Sequence, residues 1–381
     1  MGIDRSAAAR FGVTYSAGDG IKRFALADDY TLRRKIPRFG EPAPLFQAPC
    51  GTTERYNIGV AGGRWIVLMI FGTLDYAASM DALALAMRDR DLFNDTDAAF
   101  FGVSMDPADR DQRGIKNSEP GVRFFWDFNS DIGRLYGLAD AGNLMPAVFL
   151  LDATLRVVMA EPIAGTAAVM DRLKAELAKT AVTTTAPVLI MPRIFEPELC
   201  RILVGYFDEG ASSESGFTED VGGRTVYRTN ANIKRRRDVG ITHDEMIEAV
   251  RLRLETRLFP MVKRFFNWQA THIERYLICR YDAADSGFFM AHRDDVTLGT
   301  AHRKFAVSIN LNAEDYEGGD LRFPEFGSRT YRPPTGGAAV FCCSMLHEAT
   351  PVTRGQRYVV VPFLYDDDGA RLRDANLGFV A

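Results

Sequence analysis

The chain has 381 residues, of which 47% are apolar and 25% are charged. At roughly 100–200 residues per domain this length predicts two domains, and the composition excludes a disordered or fibrous protein. The net charge of −4, from 46 basic and 50 acidic residues, gives no reason to expect a nucleic-acid partner. The longest apolar run, Trp65–Phe71, is much shorter than the roughly 20 residues of a membrane-spanning helix, so no membrane association is expected.

Two further features concern the cellular compartment. Residues 1–20 lack the hydrophobic core of a secretory signal. The cysteines are odd in number and show neither a CxxC pair nor a zinc-like spacing: Cys50, Cys200, Cys279, Cys342 and Cys343. We therefore expect free thiols in a reducing cytoplasm.

The first half of the chain alternates predicted strands and helices. Their order is strand 65–71, helix 79–90, strand 98–103, helix 132–136, a strand pair 147–151 and 155–159, and helix 164–179. This order is typical of an α/β sandwich around a mixed sheet. A Thr-rich stretch that ends at Pro187 then predicts a linker. The expected division is an extension 1–37, a first domain 38–179, a linker 180–187 and a second domain 188–381.

The second half has a different pattern, in which two helical segments, 197–208 and 243–265, precede a series of strands. Turn residues separate the strands 273–281, 288–292, 305–310, 319–323, 337–341 and 358–364. Many short strands with Gly- and Pro-rich turns predict a double-sheet jelly roll with supporting helices.

One constellation in this half predicts a metal site. His292 and Asp294 are two residues apart, and residues at that spacing in a strand point to the same face. His347 follows the apolar strand 338–341. Two histidines and one carboxylate, with three positions left open, form the facial triad of non-haem Fe(II) oxygenases. Arg357, ten residues later, is suited to bind a carboxylate through two parallel hydrogen bonds.

The remaining histidines and the basic run 234–237 fit no such pattern. We expect His243 and His272 to be structural and His302 to lie in a surface loop. We interpret the basic run as a solvated loop rather than a binding patch.

The segments 315–324, 336–341, 347–352 and 354–358 resemble the 2-oxoglutarate/Fe(II)-dependent dioxygenase superfamily, in its prolyl 4-hydroxylase-like branch. The resemblance runs from about residue 187 to residue 365. It implies a double-stranded β-helix that couples oxidative decarboxylation of 2-oxoglutarate to hydroxylation of a substrate, with release of succinate and CO2.

Carried over by position, the resemblance implies that His292, Asp294 and His347 hold Fe(II) and that Arg357 binds the far carboxylate of 2-oxoglutarate. Tyr281 corresponds to a family tyrosine that touches that carboxylate, although its distance from His292 along the chain is longer than in the family. The presence of Asp294 favours hydroxylation over halogenation. O2 is the second co-substrate, ascorbate is a further cofactor to test, and the substrate is a peptidyl proline, an amino acid or another small molecule.

The first half resembles the peroxiredoxins of the AhpC/TSA family, which have a thioredoxin fold. The resemblance is carried by 40–46, by the strand 65–71 and by 143–152, a segment whose proline is cis in the thioredoxin fold. Peroxiredoxins carry the motif Pro-x-x-x-Thr-x-x-Cys after that strand. Here Gly72 replaces the proline, Tyr76 the threonine and Ser79 the cysteine. Because a serine hydroxyl cannot replace the peroxidatic thiolate, this half is expected to lack peroxidase activity. Its expected uses are homodimerisation, substrate recruitment or packing against the other half.

Two functional hypotheses follow. The first is an Fe(II)- and 2-oxoglutarate-dependent hydroxylase. The alternative is a redoxin-based redox-sensing or scaffold protein with a non-catalytic β domain. The complete set of metal ligands and the missing cysteine favour the first.

Overall fold

The computed structural model describes residues 36–51, 53–140, 143–179 and 184–380. Almost all of the expected N-terminal extension and half of the expected linker lie outside these residues. Within the described ranges no helix has the length and apolar character needed to cross a membrane.

The N-terminal half is built on a seven-stranded mixed sheet. Its central strand, Trp65–Gly72, is parallel to one neighbour and antiparallel to the other, and it is buried from Ile66 onward. An unbroken apolar strand fits this position because both faces of the sheet are covered. In spatial order the strands are Thr53–Asn57, Gln47–Cys50, Val122–Trp126, Ala98–Ser104, Trp65–Gly72, Ala147–Leu151 and Val157–Pro162.

Helices cover this sheet on both faces, as the sequence predicted. Ala77–Arg88 and Thr166–Leu177 pack with alternate residues of the central strand into one apolar cluster. The shorter helices are Pro107–Asp111 and Asp131–Leu135. The expected thioredoxin-like α/β architecture is confirmed. The cis bond expected before Pro146 is wrong, because the only cis peptide bond among the described residues joins Glu119 and Pro120.

The C-terminal half contains two larger sheets. The nine-stranded sheet has the path Leu189–Met191, Ala338–Cys342, Phe305–Asn310, Gln356–Val360, Leu277–Asp282, Arg237–Gly240 and Ser213–Glu214, with His272–Glu274 and Phe363–Tyr365 paired beside it. The five-stranded sheet has the order Lys234–Arg235, Phe288–His292, His347–Ala349, Leu321–Arg322 and Thr330–Tyr331. Two two-stranded pairs also belong to this half: Phe217–Val221 with Arg224–Arg228, and Glu317–Gly318 with Val352–Arg354. A further pair, Ala139–Asp140 with Asn143–Leu144, lies in the N-terminal half.

Two strands expected as single units are divided. The segment 273–281 is interrupted at Arg275, whose φ of 55° is left-handed and does not continue a strand. The segment 358–364 is interrupted at Pro362, which has no N–H to donate to a neighbour. The resulting strands still pair with each other, His272–Glu274 with Phe363–Tyr365 and Leu277–Asp282 with Gln356–Val360.

Helices support the nine-stranded sheet on one face. Leu203 and Phe207 of Pro197–Glu209 pack with Leu254 and Val262 against strand residues such as Ile278. The expected helix 243–265 is present, with a wider π turn in its middle: Asp244–Arg253, Leu254–Leu258 and Phe259–Phe266. The last helix is Asp367–Asn376. The opposite face of the sheet meets the five-stranded sheet, and a cavity lies between them.

Candidate active site

The two histidines of the predicted metal site stand opposite each other on antiparallel strands. His292 ends Phe288–His292 and is the cross-strand partner of His347, and their ring centres are 4.3 Å apart. Asp294 lies beyond the strand end, so strand alternation is not what places it beside His292. Instead the chain turns, and the backbone N–H of Asp294 donates to the carbonyl of Cys343 at 2.9 Å.

The three side chains converge on one point. The carboxylate of Asp294 lies 3.6 Å from Nε2 of His292 and 3.2 Å from Nε2 of His347. One donor atom from each residue lies within 4.8 Å of the other two. Such a separation is short enough for all three atoms to bind a single ion.

Backbone carbonyls orient both imidazoles. Nδ1 of His292 lies 2.7 Å from the carbonyl oxygen of Met290, and Nδ1 of His347 lies 3.0 Å from that of Met345. A carbonyl oxygen only accepts, so these contacts assign the proton to Nδ1 in each ring. The Nε2 lone pairs are therefore free to bind a metal, which is the usual arrangement of metal-binding histidines.

The electrostatics favour the metal-binding protonation states. Burial lowers the pKa of His292 to about 4, and the neighbouring His347 acts in the same direction. Burial raises the pKa of Asp294, but the two imidazoles more than offset it and hold that pKa well below its usual value. A neutral imidazole and an ionised carboxylate are the forms that bind metals. The donor set fits Fe(II) with two histidines and one carboxylate.

Arg357 and Tyr281 lie in the same cavity. Arg357 is 2% exposed and donates from Nη2 to the hydroxyl of Ser308 at 3.0 Å, while its buried Nε has no partner among the described residues. Its guanidinium carbon is 5.3 Å from the centre of the Tyr281 ring. A held guanidinium with an unused donor suits an incoming carboxylate.

The cavity that contains these groups has a volume of about 700 Å³, within the usual range for small-molecule sites. All five predicted site residues line it: Tyr281, His292, Asp294, His347 and Arg357. The structure thus brings together the metal-ligand candidates from one sheet and the carboxylate-binding candidates from the other.

Two residues of the basic run also line this cavity, so its interpretation as a solvated loop is wrong for them. Lys234 and Arg236 are 4% and 6% exposed, whereas Arg237 points outward. Lys234 belongs to the strand beside Phe288–His292, and Arg236 is paired with Asp238 at 2.7 Å. Arg236 lies between the two short strands Lys234–Arg235 and Arg237–Gly240, which belong to different sheets. The run therefore carries no single strand periodicity that marks Lys234 and Arg236 as buried.

His302 also differs from expectation. It is 2% exposed rather than on the surface, because Nε2 lies 2.9 Å from the carboxylate of Glu274. Glu274 also forms two hydrogen bonds with Arg303, at 2.7 and 2.5 Å. His302 does not line the cavity, so its role is structural.

The N-terminal half shows no exposed thiol at the position of the peroxidatic cysteine. Ser79 occupies the first turn of Ala77–Arg88, is fully buried and donates to the carbonyl of Phe71 at 3.0 Å. Cys50 is buried in its strand, and burial raises the pKa of its thiol to about 11.

Comparison with known proteins agrees with both resemblances. Residues 39–160 match the model of the AhpC/TSA family. The N-terminal domain is AhpC/TSA-like. A PKHD-type hydroxylase of Synechococcus sp. (strain JA-2-3B'a(2-13)) is 33% identical over 98 residues, which cover 24% of this chain and 43% of the relative. Procollagen-lysine,2-oxoglutarate 5-dioxygenase 1 of Mus musculus is 32% identical over 111 residues, 28% of this chain and 14% of that protein. The chain spans less than half the length of these curated relatives.

Solved structures similar to this chain include a prolyl hydroxylase from Trichoplax adhaerens and a prolyl-4-hydroxylase from Pseudomonas putida. The first has a TM-score of 0.40 at 16% identity, and the match covers 49% of this chain and 87% of the Trichoplax chain. The second has a TM-score of 0.34 at 20% identity, and the match covers 52% of this chain and 98% of the Pseudomonas chain.

Proposed function

We propose that this protein is an Fe(II)- and 2-oxoglutarate-dependent dioxygenase that hydroxylates a small-molecule or peptide substrate. The observation that carries the proposal is the convergence of three metal-binding donors with Arg357 in one cavity. In the overall reaction 2-oxoglutarate loses one carboxyl group as CO2. One oxygen atom of O2 enters succinate and the other enters the substrate.

Each residue has a defined task in this proposal. Nε2 of His292, Nε2 of His347 and the carboxylate of Asp294 hold Fe(II), which supplies the O2-activating chemistry when it is bound. Arg357 binds the far carboxylate of 2-oxoglutarate through its guanidinium, and Tyr281 borders the same end of the cavity. Three protein ligands leave positions open for 2-oxoglutarate and O2.

We also infer that the two facing sheets form a double-stranded β-helix, since the metal donors lie on one sheet and the carboxylate-binding arginine on the other. Ascorbate would serve as a reductant that keeps the iron ferrous. The names of the relatives point to peptidyl lysine as one substrate class to test, beside proline and free amino acids. Homodimerisation and the 188–381 boundary of the oxygenase domain stay predictions.

The alternative, a redox-sensing protein, is disfavoured by a specific contact. The Ser79 hydroxyl is buried against the carbonyl of Phe71, which leaves no nucleophile at the position where a peroxidatic thiol would stand.

The test is succinate formation from 2-oxoglutarate by the full chain reconstituted with Fe(II) under controlled O2. We expect Fe(II)-dependent succinate release that Asp294→Ala abolishes, and no thiol-dependent consumption of peroxide. Equal turnover in Asp294→Ala, or peroxide consumption without succinate, would contradict the proposal.

A further inference from the structure

Arg293, the residue between two proposed metal ligands, connects the metal site to the N-terminal domain. Its guanidinium donates to the carbonyl of Gly59 from Nε at 3.3 Å and from Nη2 at 3.0 Å. Gly59 lies in the short helical turn Ile58–Ala61 of the N-terminal domain. The side chain of Arg293 is only 9% exposed, so this carbonyl is one of the few partners available to it.

The same guanidinium reaches the other side of the metal site. It forms an ion pair with Glu325 at 2.8 Å and donates to the carbonyl of Ser344. Glu325 in turn accepts a hydrogen bond at 3.0 Å from the backbone N–H of Leu346, the neighbour of His347. One network therefore contacts the chain beside all three proposed ligands.

The N-terminal segment 59–63 has the shape that this contact requires. A Cβ atom on Gly62 would lie 3.3 Å from the side chains of Glu325 and Leu346, and also 3.3 Å from the carbonyl oxygen of Ala153 in its own domain. Gly63, with φ of +88°, faces Pro324, and a Cβ atom there would lie 2.4 Å from that ring. Side chains at these two positions would push the N-terminal domain away from the network.

We propose that the N-terminal domain is a positioning element for the metal-binding segments, which it holds through the carbonyl of Gly59, Arg293 and Glu325. Arg293 and Glu325 are positioning residues in this proposal, which rests on the proposed metal site. Leaving donors of a buried guanidinium unpaired costs free energy, so loss of the Gly59 carbonyl would shift Arg293 and the turn between His292 and Asp294. Such outer contacts typically change metal affinity about 10–100-fold.

The experiment measures Co(II) binding to the full-length protein by its visible absorbance, which reports ligand geometry independently of turnover. Arg293→Met removes the network, Arg293→Lys keeps the charge without the fork, and Gly62→Val pushes the N-terminal segment away. We expect about tenfold weaker Co(II) binding and an altered spectrum in Arg293→Met and Gly62→Val, and an intermediate result in Arg293→Lys.

The matched control is Arg322→Met. Arg322 pairs with Glu348 at 2.5 Å, also next to His347, but in the described part of the chain it forms no hydrogen bond or ion pair with the N-terminal domain. A folded Gly62→Val protein with unchanged Co(II) affinity and spectrum would overturn the proposal, and so would an Arg293→Met protein that matches the control. If Gly62→Val fails to fold, Arg293→Met and Arg293→Lys decide, each measured against the control. Absence of Co(II) binding in the unaltered protein would instead overturn the proposed metal site.

A second inference comes from the charges around the cavity. Its lining contains two acidic side chains, Asp95 and Asp294, and many basic ones: Arg64, Arg123, Lys234, Arg236, Arg275, Arg293, Arg303 and Arg357. Most of the arginines have a carboxylate partner, namely Asp95, Asp238, Glu325 or Glu274. In the described part of the chain, Lys234, Arg275 and Arg357 form no ion pair.

The proposed reactants leave part of this charge uncompensated. Fe(II), Asp294 and Arg357 together balance the two negative charges of 2-oxoglutarate. The guanidinium of Arg275 and the protonated form of Lys234 are then left without a counter-charge. Lys234 donates one hydrogen bond, to the carbonyl of Gly216 at 2.6 Å, and its ammonium group lies 4.3 Å from the centre of the Phe289 ring. Phe289 also stacks on His292 with 3.5 Å between ring centres, so one aromatic ring contacts both Lys234 and a proposed metal ligand.

We infer that the substrate carries an anionic group, such as a carboxylate, that binds Lys234. This inference rests on the proposed function and names the substrate class of that same site. Burial and the charge of Arg236 lower the pKa of Lys234 well below its usual value. An anion in the cavity would oppose both effects and favour the ammonium form.

The test compares the free L-amino acids with their primary carboxamides as stimulators of succinate release. We expect stimulation by one or more acids and not by the matching amides, and an apparent KM at least about tenfold higher in Lys234→Met, as for loss of one charged contact. The control is Arg237→Met, at an exposed position that begins the next strand along the chain, Arg237–Gly240. Stimulation by an amide equal to that by its acid, an unchanged KM in Lys234→Met, or no stimulation by any acid would overturn the inference. If the unaltered protein releases no succinate even without added substrate, the proposed function itself is wrong.

Discussion

Tyr281 and Arg357 are cross-strand partners in the nine-stranded sheet, and the guanidinium of Arg357 lies over the Tyr281 ring. The three proposed metal ligands come from the five-stranded sheet or the turn that follows its strand. A molecule of 2-oxoglutarate that binds both groups would therefore bridge the two sheets. Binding of the co-substrate depends on how the sheets pack as well as on the residues themselves.

The first prediction concerns this bridge. Arg357→Ala should raise the apparent KM for 2-oxoglutarate at least about 30-fold, because removal of one partner of a buried charge pair costs about 2–5 kcal/mol. Arg357→Lys should fall between, since it keeps the charge and loses the fork. Tyr281→Phe should have a smaller effect. The measurement is the initial rate of succinate formation against the concentration of 2-oxoglutarate.

Arg332→Ala is the matched control for this series, because Arg332 pairs with Asp320 at 2.5 Å and does not line the cavity. If Arg357→Ala and the control had the same apparent KM for 2-oxoglutarate, the far carboxylate of 2-oxoglutarate would bind another basic residue of the cavity.

The second prediction concerns the metal. His347→Ala should lose bound Fe(II) on dialysis, because this substitution removes one of three protein ligands. The loss of metal affinity should exceed the factor of about 10–100 that is typical when a residue outside the ligand set is replaced. His272→Ala is the control, since His272 stacks on Tyr365 away from the site. The iron content of both proteins after anaerobic dialysis is the measurement. Equal iron in the two variants would remove His347 from the ligand set.

The sequence predicts the site better than it predicts the strands around it. His292, Asp294, His347 and Arg357 could be found because their residue types and their order along the chain follow the pattern of a known superfamily. Arg275, which interrupts a strand, and Lys234, which turns inward, depend on contacts with distant strands. No local pattern reveals the contact of Arg293 with Gly59, since the two residues are 234 positions apart.

The third prediction concerns stability in acid. Burial raises the pKa of Glu274, but the hydrogen bonds from His302 and Arg303 outweigh it and lower that pKa to about 2. A carboxyl group whose pKa is lowered by folding stabilises the folded state at pH values above its pKa in the unfolded chain, about 4.3. This stabilisation is lost as the pH falls toward 2. Glu274→Gln should therefore lower the free energy of unfolding at pH 7 by about 3 kcal/mol.

Urea unfolding at several pH values measures this effect. The difference between the unaltered protein and Glu274→Gln should shrink between pH 4.5 and the lowest pH at which both remain folded. Glu248→Gln, an exposed residue paired with Arg251 on a helix, should change stability by less than about 1 kcal/mol. A pH-independent difference for Glu274→Gln would assign its effect to packing rather than charge.

The last prediction concerns the AhpC/TSA-like domain. The protein should not reduce peroxide, and Cys50→Ser should leave succinate formation unchanged. The pKa of Cys50 is raised to about 11 by burial, so its thiolate is scarce at neutral pH. Ser79→Cys should also fail to create a peroxidase, because position 79 is fully buried and its hydroxyl faces the carbonyl of Phe71 rather than solvent. The measurement is thiol-dependent loss of hydrogen peroxide, with the rate of alkylation of each cysteine as a check on access. Rapid alkylation of residue 79 together with peroxide turnover in Ser79→Cys would contradict this prediction. It would show that position 79 is accessible and that one substitution separates this domain from an active peroxidase.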